Sequence, residues 1–406
     1  MQRRLKFWAK EDAAPEIESP RERIYLVSPA GTPNYGDDFI AAAWLRYLAD
    51  AKPEADVWLD CHEPGRAAVM LDGLHPRLRT TDTLWQLIDQ FRSSDWEHTA
   101  EGVCRMIRDY GSPRVDLGIL LLRGATSLHL LGGGYINDVW PENISLLAAV
   151  AEVKALTGAR LLATGQGLLP LEGASVGEVA SRLREFDYAE SRDQPGADLL
   201  GVTKGLDDAF LGVAQGELLR RAGGRSAEEW AEARPNELPD VMVLLQGDFR
   251  NNADAEHLKD VTESFLKAQL ADGAQSIGFV ESIPGVDRLV FEMLSDEFRE
   301  TRYFPASDLW LGGFPAAPGQ RWLTSRFHFH MLSAAAGASG VFVNMSPGYY
   351  DIKHGSLLEL GTGWTELAIG GEEEGPVPAP TANQDFPARA AELGRRKVTV
   401  ADELYR

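Results

Sequence analysis

The chain has little of what would place it in a membrane or in an oxidising compartment. It contains only 2 cysteines in 406 residues, and Cys61 and Cys104 match neither a disulfide framework nor a zinc-binding spacing. No window reaches about eighteen apolar residues, and the basic start at 1–10 has no apolar segment of the kind a secretory signal needs. We therefore expect a cytoplasmic protein.

Positive charge is also scarce. Lys and Arg total 40 against 61 Asp and Glu, which gives a formal net charge of -21. We expect no nucleic-acid partner, because binding a polyanion requires a basic face that releases counterions. An anionic substrate would need a local cluster of Arg, Lys or His. The basic and aromatic start has two interpretations, peripheral contact with anionic lipid or a frayed terminus, and its residues are Arg3, Arg4, Lys6, Phe7 and Trp8.

Two apolar segments that end in glycine turns organise the rest of the sequence. Residues 127–131 have the composition of a buried strand and run directly into three consecutive glycines at 132–134. A helix is predicted over 144–156, and a second buried strand over 159–164 ends in the turn 165–167. This order predicts a parallel βαβ unit with both turns at the carboxyl edge of the sheet, where open α/β sheets bind ligands. The alternative is that the glycines only allow close packing.

The alternation of strands and helices begins afresh after a polar, charged stretch. The chain is longer than one hydrophobic core normally serves, so we predict two Rossmann-like domains that face each other across a cleft. The predicted division is an N-terminal domain at 1–213, a linker at 214–239, a C-terminal domain at 240–369, and an exposed linker with a terminal helix at 370–406. The carboxyl edges of both sheets would line the cleft.

Some local expectations are specific enough to be checked. Periodicity predicts mostly helix over 63–112 and a helix over 324–336. A loop is expected at 346–354, after the last predicted strand, and the terminal helix is predicted over 388–396.

Polar residues cluster where the first helix should begin. Asn34, Gly36, Asp37 and Asp38 follow the first predicted strand and precede the apolar helix 39–49. Asp37 or Asp38 would either reach a ligand or cap the free amides of that helix.

Cationic side chains recur at the same predicted edge. Arg192 lies after a predicted strand, where a surface ion pair is the alternative to anion binding. Arg326 and His328 flank the start of a later helix, so an anion there would meet a guanidinium, an imidazole and a positive helix end. A buried, hydrogen-bonded imidazole is the competing interpretation for both histidines of this segment, and it is favoured for His330.

Six short motifs in one order resemble those of the polysaccharide pyruvyl transferases. They are NYGDD at 34–38, GGGYIND at 132–138, GQGLLPL at 165–171, SRD at 191–193, DDAFL at 207–211 and RFH at 326–328. The resemblance covers nearly the whole chain and implies a fold similar to two-domain (GT-B-type) glycosyltransferases. It also implies transfer of the enolpyruvyl group of phosphoenolpyruvate to saccharide hydroxyls, commonly as a cyclic ketal.

The resemblance implies roles for individual residues. Arg192, Arg326 and His328 would hold the donor, with His328 as acid or base. The planar forks of the two arginines suit the donor's carboxylate and phosphate, and the chemistry of ketal formation favours His328 as the acid. Asp37 is the candidate base. The other substrate-binding candidates are Asn34, Gly36, Asp38, Gly132, Gly133, Gly134, Asn137, Gln166 and Lys353. We expect no cofactor and no metal, because His, Asp and Glu do not cluster at ligand spacings; the expected partners are phosphoenolpyruvate and a saccharide or lipid-linked saccharide acceptor.

Two alternatives stay open at this point. A nucleotide-sugar-dependent glycosyltransferase would need acidic residues to hold a ribose in the second domain, where the segment 340–370 offers Glu359 and Glu366. An inactive family member that serves as a binding protein is the other.

Overall fold

The structure is a computed structural model of the chain. The described residues are 21–93, 95–109, 115–216, 237–247, 252–345, 350–369 and 377–406. The basic start at 1–10 and most of the predicted linker at 214–239 therefore lie outside the described residues.

The N-terminal half forms one parallel sheet. Its strands are β1 (Arg23–Val27), β2 (Asp56–Asp60), β3 (Leu78–Thr81), β4 (Ser127–Leu130), β5 (Arg160–Gln166), β6 (Tyr188–Ser191) and β7 (Thr203–Lys204). Within the described residues they lie side by side in the order β3-β2-β1-β4-β5-β6-β7. The strand order reverses between β1 and β4, and such a reversal opens a crevice at the carboxyl edge of a sheet.

The second half repeats this arrangement. Its strands are β8 (Val241–Leu244), β9 (Ile277–Val280), β10 (Arg302–Phe304), β11 (Arg321–Thr324), β12 (Ser339–Asn344) and β13 (Thr365–Ala368). In the described part of the chain their order is β10-β9-β8-β11-β12-β13, again with parallel pairing. Two parallel α/β domains confirm the predicted fold class.

Helices connect the strands of both sheets. They are α1 (Tyr35–Ala51), α2 (Pro64–Met70), α3 (Thr83–Phe91), α4 (Trp96–Asp109), α5 (Asp116–Arg123), α6 (Ser145–Thr157), α7 (Ala174–Leu183), α8 (Gln194–Leu200), α9 (Ala209–Ala214), α10 (Asn252–Ala271), α11 (Arg288–Met293), α12 (Asp296–Arg299), α13 (Ala306–Gly312), α14 (Phe327–Ala335), α15 (Tyr350–Leu360) and α16 (Phe386–Tyr405), with a 3-10 turn at Pro141–Ile144. None of the helices in the described residues has the length and apolarity needed to cross a bilayer.

The segment 63–112 is mostly helical, as predicted, and also contains β3, a half-exposed strand whose short sequence LRTT lacks an apolar repeat. Three other local predictions were wrong. The helix expected over 324–336 begins only at Phe327, because the residues before it form β11. The expected loop 346–354 overlaps α15, which starts at Tyr350.

The third error concerns the terminal helix, which is more than twice as long as 388–396. It runs over Phe386–Tyr405 because buried positions continue along one face to its end, at Lys397, Ala401 and Leu404. This helix packs back onto the N-terminal domain, where Tyr47 donates a hydrogen bond to Asp402 at 2.9 Å.

The two domains contact each other directly at the start of α1. The Tyr35 amide donates to the Ser282 carbonyl at 3.3 Å. The Tyr35 ring packs within 6.5 Å, centroid to centroid, of the rings of Trp310, Phe314 and Phe329 from the second domain. This aromatic contact places the carboxyl edges of both sheets on either side of one cleft.

Asp60 ends β2 and is fully buried. Its carboxylate accepts hydrogen bonds from the Tyr25 hydroxyl at 2.6 Å and the Leu84 amide at 2.8 Å. Burial outweighs these bonds and raises the pKa of Asp60 to about 7. A folded-state pKa above the unfolded value means that the folded protein binds the proton more tightly. The contribution of Asp60 to stability is therefore lost as the pH rises from about 4 through 7.

Asp60→Asn should remove this pH dependence. The amide oxygen keeps both hydrogen bonds and the side chain cannot ionise. We expect the stability of Asp60→Asn relative to wild type to rise by on the order of 2 to 3 kcal/mol between pH 5 and pH 8. Urea unfolding at both pH values measures it, and a pH-independent difference would contradict the assignment.

Candidate active site

The two glycine turns lie side by side, as predicted. Gly133 pairs with Gln166 in an isolated parallel bridge, and the Gly167 amide donates to the Gly133 carbonyl at 2.9 Å. The turns that follow β4 and β5 therefore form one continuous wall at the carboxyl edge of the first sheet.

The three consecutive glycines have different reasons to lack a side chain. A Cβ on Gly132 would lie 2.9 Å from the Asp208 carboxyl carbon. Gly133 has a φ of 150°, which favours glycine, and a Cβ there would lie 2.8 Å from the Tyr135 ring. A Cβ on Gly134 would instead point at the Lys353 ammonium, 3.4 Å away. Packing thus accounts for the first two glycines, and the third faces the cleft.

Gly134→Val should block the cleft without disturbing the fold, because its backbone is not in the region reserved for glycine. We expect donor affinity to fall on the order of tenfold or more, with a melting temperature close to that of wild type. Gly133→Val is the matched control, in which strain and the Tyr135 clash should lower the melting temperature. Melts followed by circular dichroism, with donor titrations, separate the two; unfolding of Gly134→Val would contradict its open position.

Asn34 caps α1, although Asp37 and Asp38 were the residues considered for that role. Its side chain accepts from the Gly36 amide at 3.3 Å and donates to the Asp37 carboxylate at 2.7 Å. Asp38 turns away and accepts from the Gly31 amide at 2.8 Å, and burial raises its pKa to about 7. Asp38 therefore holds the β1–α1 loop and does not face the cleft.

His328 reaches across the cleft to the start of α1. A Cβ on Gly36 would lie 2.0 Å from Nδ1 of His328, so only glycine allows the ring to sit there. On the other side, Nε2 lies 3.4 Å from Oδ1 of Asp207. His328 is thus in the second domain but lies between residues of the first.

Asp37 faces the same space. Burial raises its pKa, and electrostatic interactions with His328, Arg192 and Lys353 oppose the rise. A carboxyl group with a raised pKa next to cations is suited to accept a proton from a hydroxyl. The structure places both predicted catalytic residues, His328 and Asp37, in one cluster.

Arg192 is buried and oriented on three sides. Its Nη1 donates to Asp207 at 2.9 Å, and its guanidinium carbon lies 4.2 Å from the centre of the Phe327 ring. Gly167 closes the third side, since a Cβ there would lie 2.8 Å from the guanidinium. The guanidinium therefore lies against the wall of glycine turns, and Gly134 borders it.

Arg326 is held in the same manner within the second domain. It occupies the N-cap position of α14, and its Nη2 and Nε approach Oδ1 of Asp287 at 2.5 and 3.2 Å. Asp287 also accepts from the amides of Ser282 and Ile283, which fixes its carboxylate. Each predicted arginine is thus oriented by one buried aspartate of its own domain.

Asp207 is the site residue that sequence reasoning missed. It lies between Arg192 and His328, and the Ala209 amide donates to its Oδ1 at 2.9 Å. Burial would raise its pKa, but His328 and Arg192 hold that pKa well below its usual range. The motif DDAFL contained the signal, but the sequence does not say which of its two aspartates faces the cleft.

Lys353 lies on α15 and joins the cationic cluster. Burial and the neighbouring Arg192 lower its pKa well below the usual value, Asp37 opposes this shift, and Arg326 adds to it. The structure therefore brings Arg192, Arg326, Lys353 and His328 together in one cleft.

Two other candidates shape the wall instead of facing the cleft. Gln166 is 1% exposed, and its Nε2 donates to the carbonyls of Leu130, Leu131 and Thr164 at 2.8 to 3.0 Å. Asn137 is fully buried and donates to the Gly134 carbonyl at 3.2 Å. Substrate contact by either side chain stays a prediction.

His330 is buried and satisfied, in line with the favoured interpretation. Its Nδ1 lies 3.0 Å from Nδ1 of His354, and its Nε2 lies 2.9 Å from the Thr362 hydroxyl. Burial, with a smaller effect from His354, lowers the pKa of His330 well below its usual value, so this ring is neutral. In the described residues no group of three or more His, Cys, Asp or Glu side chains could hold a metal ion.

A family model described as polysaccharide pyruvyl transferase matches residues 34–281. The chain belongs to the polysaccharide pyruvyl transferase family. The match begins at the α1 cap and includes the glycine turns, Arg192 and Asp207. Arg326 and His328 lie beyond the matched segment, yet the fold brings them against its residues. No curated protein matches the chain in a sequence search.

Solved structures similar to this family member include two epimerases. UDP-GlcNAc 2-epimerase from Neisseria meningitidis, bound to UDP-GlcNAc, has a TM-score of 0.53 at 10% identity, with 95% of this chain and 99% of that chain covered. A candidate UDP-N-acetylglucosamine 2-epimerase from Listeria monocytogenes has a TM-score of 0.50 at 11% identity, with 93% and 88% covered. Glycosyltransferase SnogD from Streptomyces nogalater matches with a TM-score of 0.40 at 14% identity, covering 93% and 95%. The similarities to the two epimerases show the two-domain, GT-B-type fold.

Proposed function

We propose that this chain transfers the enolpyruvyl group of phosphoenolpyruvate to saccharide hydroxyls and closes it as a ketal. The observation that supports the proposal is the convergence of two guanidinium groups, a lysine side chain and an imidazole in one cleft of a protein with a net charge of -21. Arg192 comes from the first domain and Arg326, His328 and Lys353 from the second. A small trianion requires several positively charged or hydrogen-bonding groups to bind it. Two planar guanidinium groups suit this ligand, because each can bind a carboxylate or a phosphate bidentately.

The reaction needs one proton delivered to carbon and two removed from hydroxyls. In the first step an acceptor hydroxyl adds to C2 of phosphoenolpyruvate, its proton passes to Asp37, and His328 protonates the C3 methylene. In the second step another acceptor hydroxyl attacks C2, phosphate leaves, and the released proton ends on the phosphate. Asp37 then gives up its proton and His328 takes one up from solvent, so both residues return to their starting states after each turnover.

Asp207 would keep His328 oriented and stabilise the imidazolium. Its carboxylate is shared with Arg192, so donor binding and acid orientation meet at one side chain. The 3.4 Å contact between Asp207 and His328 is long for a hydrogen bond, and protonation of the ring would shorten it.

The acceptor is proposed to be a saccharide or a lipid-linked saccharide of a cell-envelope polysaccharide. We propose that transfer takes place in the cytoplasm. Both cysteines are free thiols, in keeping with a reducing compartment, and phosphoenolpyruvate, the proposed donor, is a small, highly charged molecule.

A transfer assay tests the proposal. The protein is incubated with phosphoenolpyruvate and a mixture of saccharide acceptors, and phosphate release and pyruvylated product are followed together, the latter by mass spectrometry. We expect phosphate release that depends on an acceptor and that His328→Gln slows on the order of a hundredfold or more. Donor binding without transfer to any acceptor would favour the inactive binding protein.

A further inference from the structure

A buried lysine near the end of the chain joins the two glycine turns. Lys397 lies on α16 and is fully buried, and its ammonium contacts the carboxylates of Glu190 and Asp208. It also donates to the Leu206 carbonyl at 2.9 Å. Burial lowers the pKa of Lys397, but the two carboxylates raise that pKa by more than burial lowers it. The ammonium therefore stays charged.

Each of the two carboxylates holds the first amide of one glycine turn. Glu190 accepts from the Gly165 amide at 3.0 Å, and Asp208 accepts from the Gly132 amide at 2.8 Å. A single cation therefore fixes the distance between both turns. Without it, two buried carboxylates would repel each other across the base of the wall.

The wall that these turns form is the surface on which Arg192 lies. Gly167 contacts the guanidinium face, and Gly134 borders its edge. A shift of either turn by a few tenths of an ångström would therefore move the donor-binding guanidinium.

We propose that Lys397 is a positioning residue for donor binding, acting through Glu190, Asp208 and the two glycine turns on Arg192. The proposal deepens the proposed function and rests on it, since its affinity readout uses phosphoenolpyruvate. The helix itself is held independently. The Tyr405 hydroxyl lies 2.9 Å from His129 Nδ1, and Arg160 donates to the Leu404 carbonyl at 3.2 Å, so loss of the Lys397 charge leaves α16 docked.

Lys397→Met keeps most of the side-chain volume and removes the charge. We expect it to weaken phosphoenolpyruvate binding on the order of tenfold or more, whereas Arg396→Met, an exposed neighbour on the same helix, should change nothing. In an Arg192→Ala background, Lys397→Met should have no further effect on affinity, because positioning requires the positioned group. Additive losses, or a lower melting temperature with unchanged affinity, would overturn the proposal.

Amide hydrogen exchange without ligand keeps this test separate from the proposed function. Lys397→Met should speed amide exchange at Gly132 and Gly165. Unchanged exchange at both amides would overturn the proposed role of Lys397, even if phosphoenolpyruvate binds. If Lys397→Met does not fold, Glu190→Gln is the second variant, because it retains the ion pair between Lys397 and Asp208, whose charges cancel. Glu190→Gln should speed amide exchange at Gly165 and leave the exchange rate at Gly132 unchanged. If the variant protects both amides from exchange equally, the proposal is contradicted.

Discussion

His328→Gln is expected to leave phosphoenolpyruvate affinity within about tenfold of wild type and to slow transfer on the order of a hundredfold or more. Glutamine fills most of the space of the ring beside Gly36 but cannot donate a proton to carbon. In the proposed site, Arg192, Arg326 and Lys353 provide most of the donor contacts, and the substitution leaves all three in place. Single-turnover transfer at saturating donor measures the rate without interference from binding.

His330→Gln is the matched control for this prediction. The ring of His330 packs between His354 and Thr362 away from the cleft, so its loss should lower stability and leave the rate near that of wild type. A near-normal rate in His328→Gln, or the larger rate defect in His330→Gln, would show that the acid was assigned to the wrong histidine.

Arg192→Ala and Arg326→Ala are each expected to lose about 2 to 5 kcal/mol of phosphoenolpyruvate binding free energy. Each substitution removes a bidentate donor and also leaves a buried aspartate facing the donor's negative charge, Asp207 in one case and Asp287 in the other. Arg192→Lys should recover only part of the loss, because a point charge cannot reproduce two parallel hydrogen bonds.

Isothermal titration of each variant with phosphoenolpyruvate measures this loss. Arg288→Ala is the control, since this exposed arginine on α11 pairs with Glu292 and should bind the donor as wild type does. Retained affinity in both Arg192→Ala and Arg326→Ala would contradict the assignment of the donor site.

Much of the architecture could be predicted because it depends on patterns within short segments. Apolar runs that end in glycine indicated the parallel sheet and the edge at which both turns lie. The order of motifs indicated the family and the arginines of the cleft. Elements with weak local patterns were missed, such as β3, which is half-exposed, and β11. Because β11 was not predicted, the helix after it was predicted to start too early and to include Arg326, which is in fact its N-cap residue.

Neighbouring residues of one type could not be told apart from sequence. Asp37 faces the cleft while Asp38 holds a loop, and Asp207 orients Arg192 while Asp208 holds a glycine turn. Asp37 and Asp38 are consecutive residues in the first turn of α1, so their side chains leave the helix about 100° apart. Asp207 and Asp208 directly precede α9, and their side chains likewise point in different directions. The ion pairs of Lys397 could not be predicted from sequence either, because its partners lie some two hundred residues away in the chain.

Calorimetric titration of the wild-type protein with phosphoenolpyruvate and, separately, with UDP and UDP-GlcNAc tests whether phosphoenolpyruvate is the ligand of this cleft. We expect one phosphoenolpyruvate to bind per chain, with an affinity that the Arg192→Ala and Arg326→Ala variants lose, and no comparable binding of UDP. Saturable binding of UDP or UDP-GlcNAc with no heat from phosphoenolpyruvate would contradict this expectation and favour the nucleotide-sugar alternative.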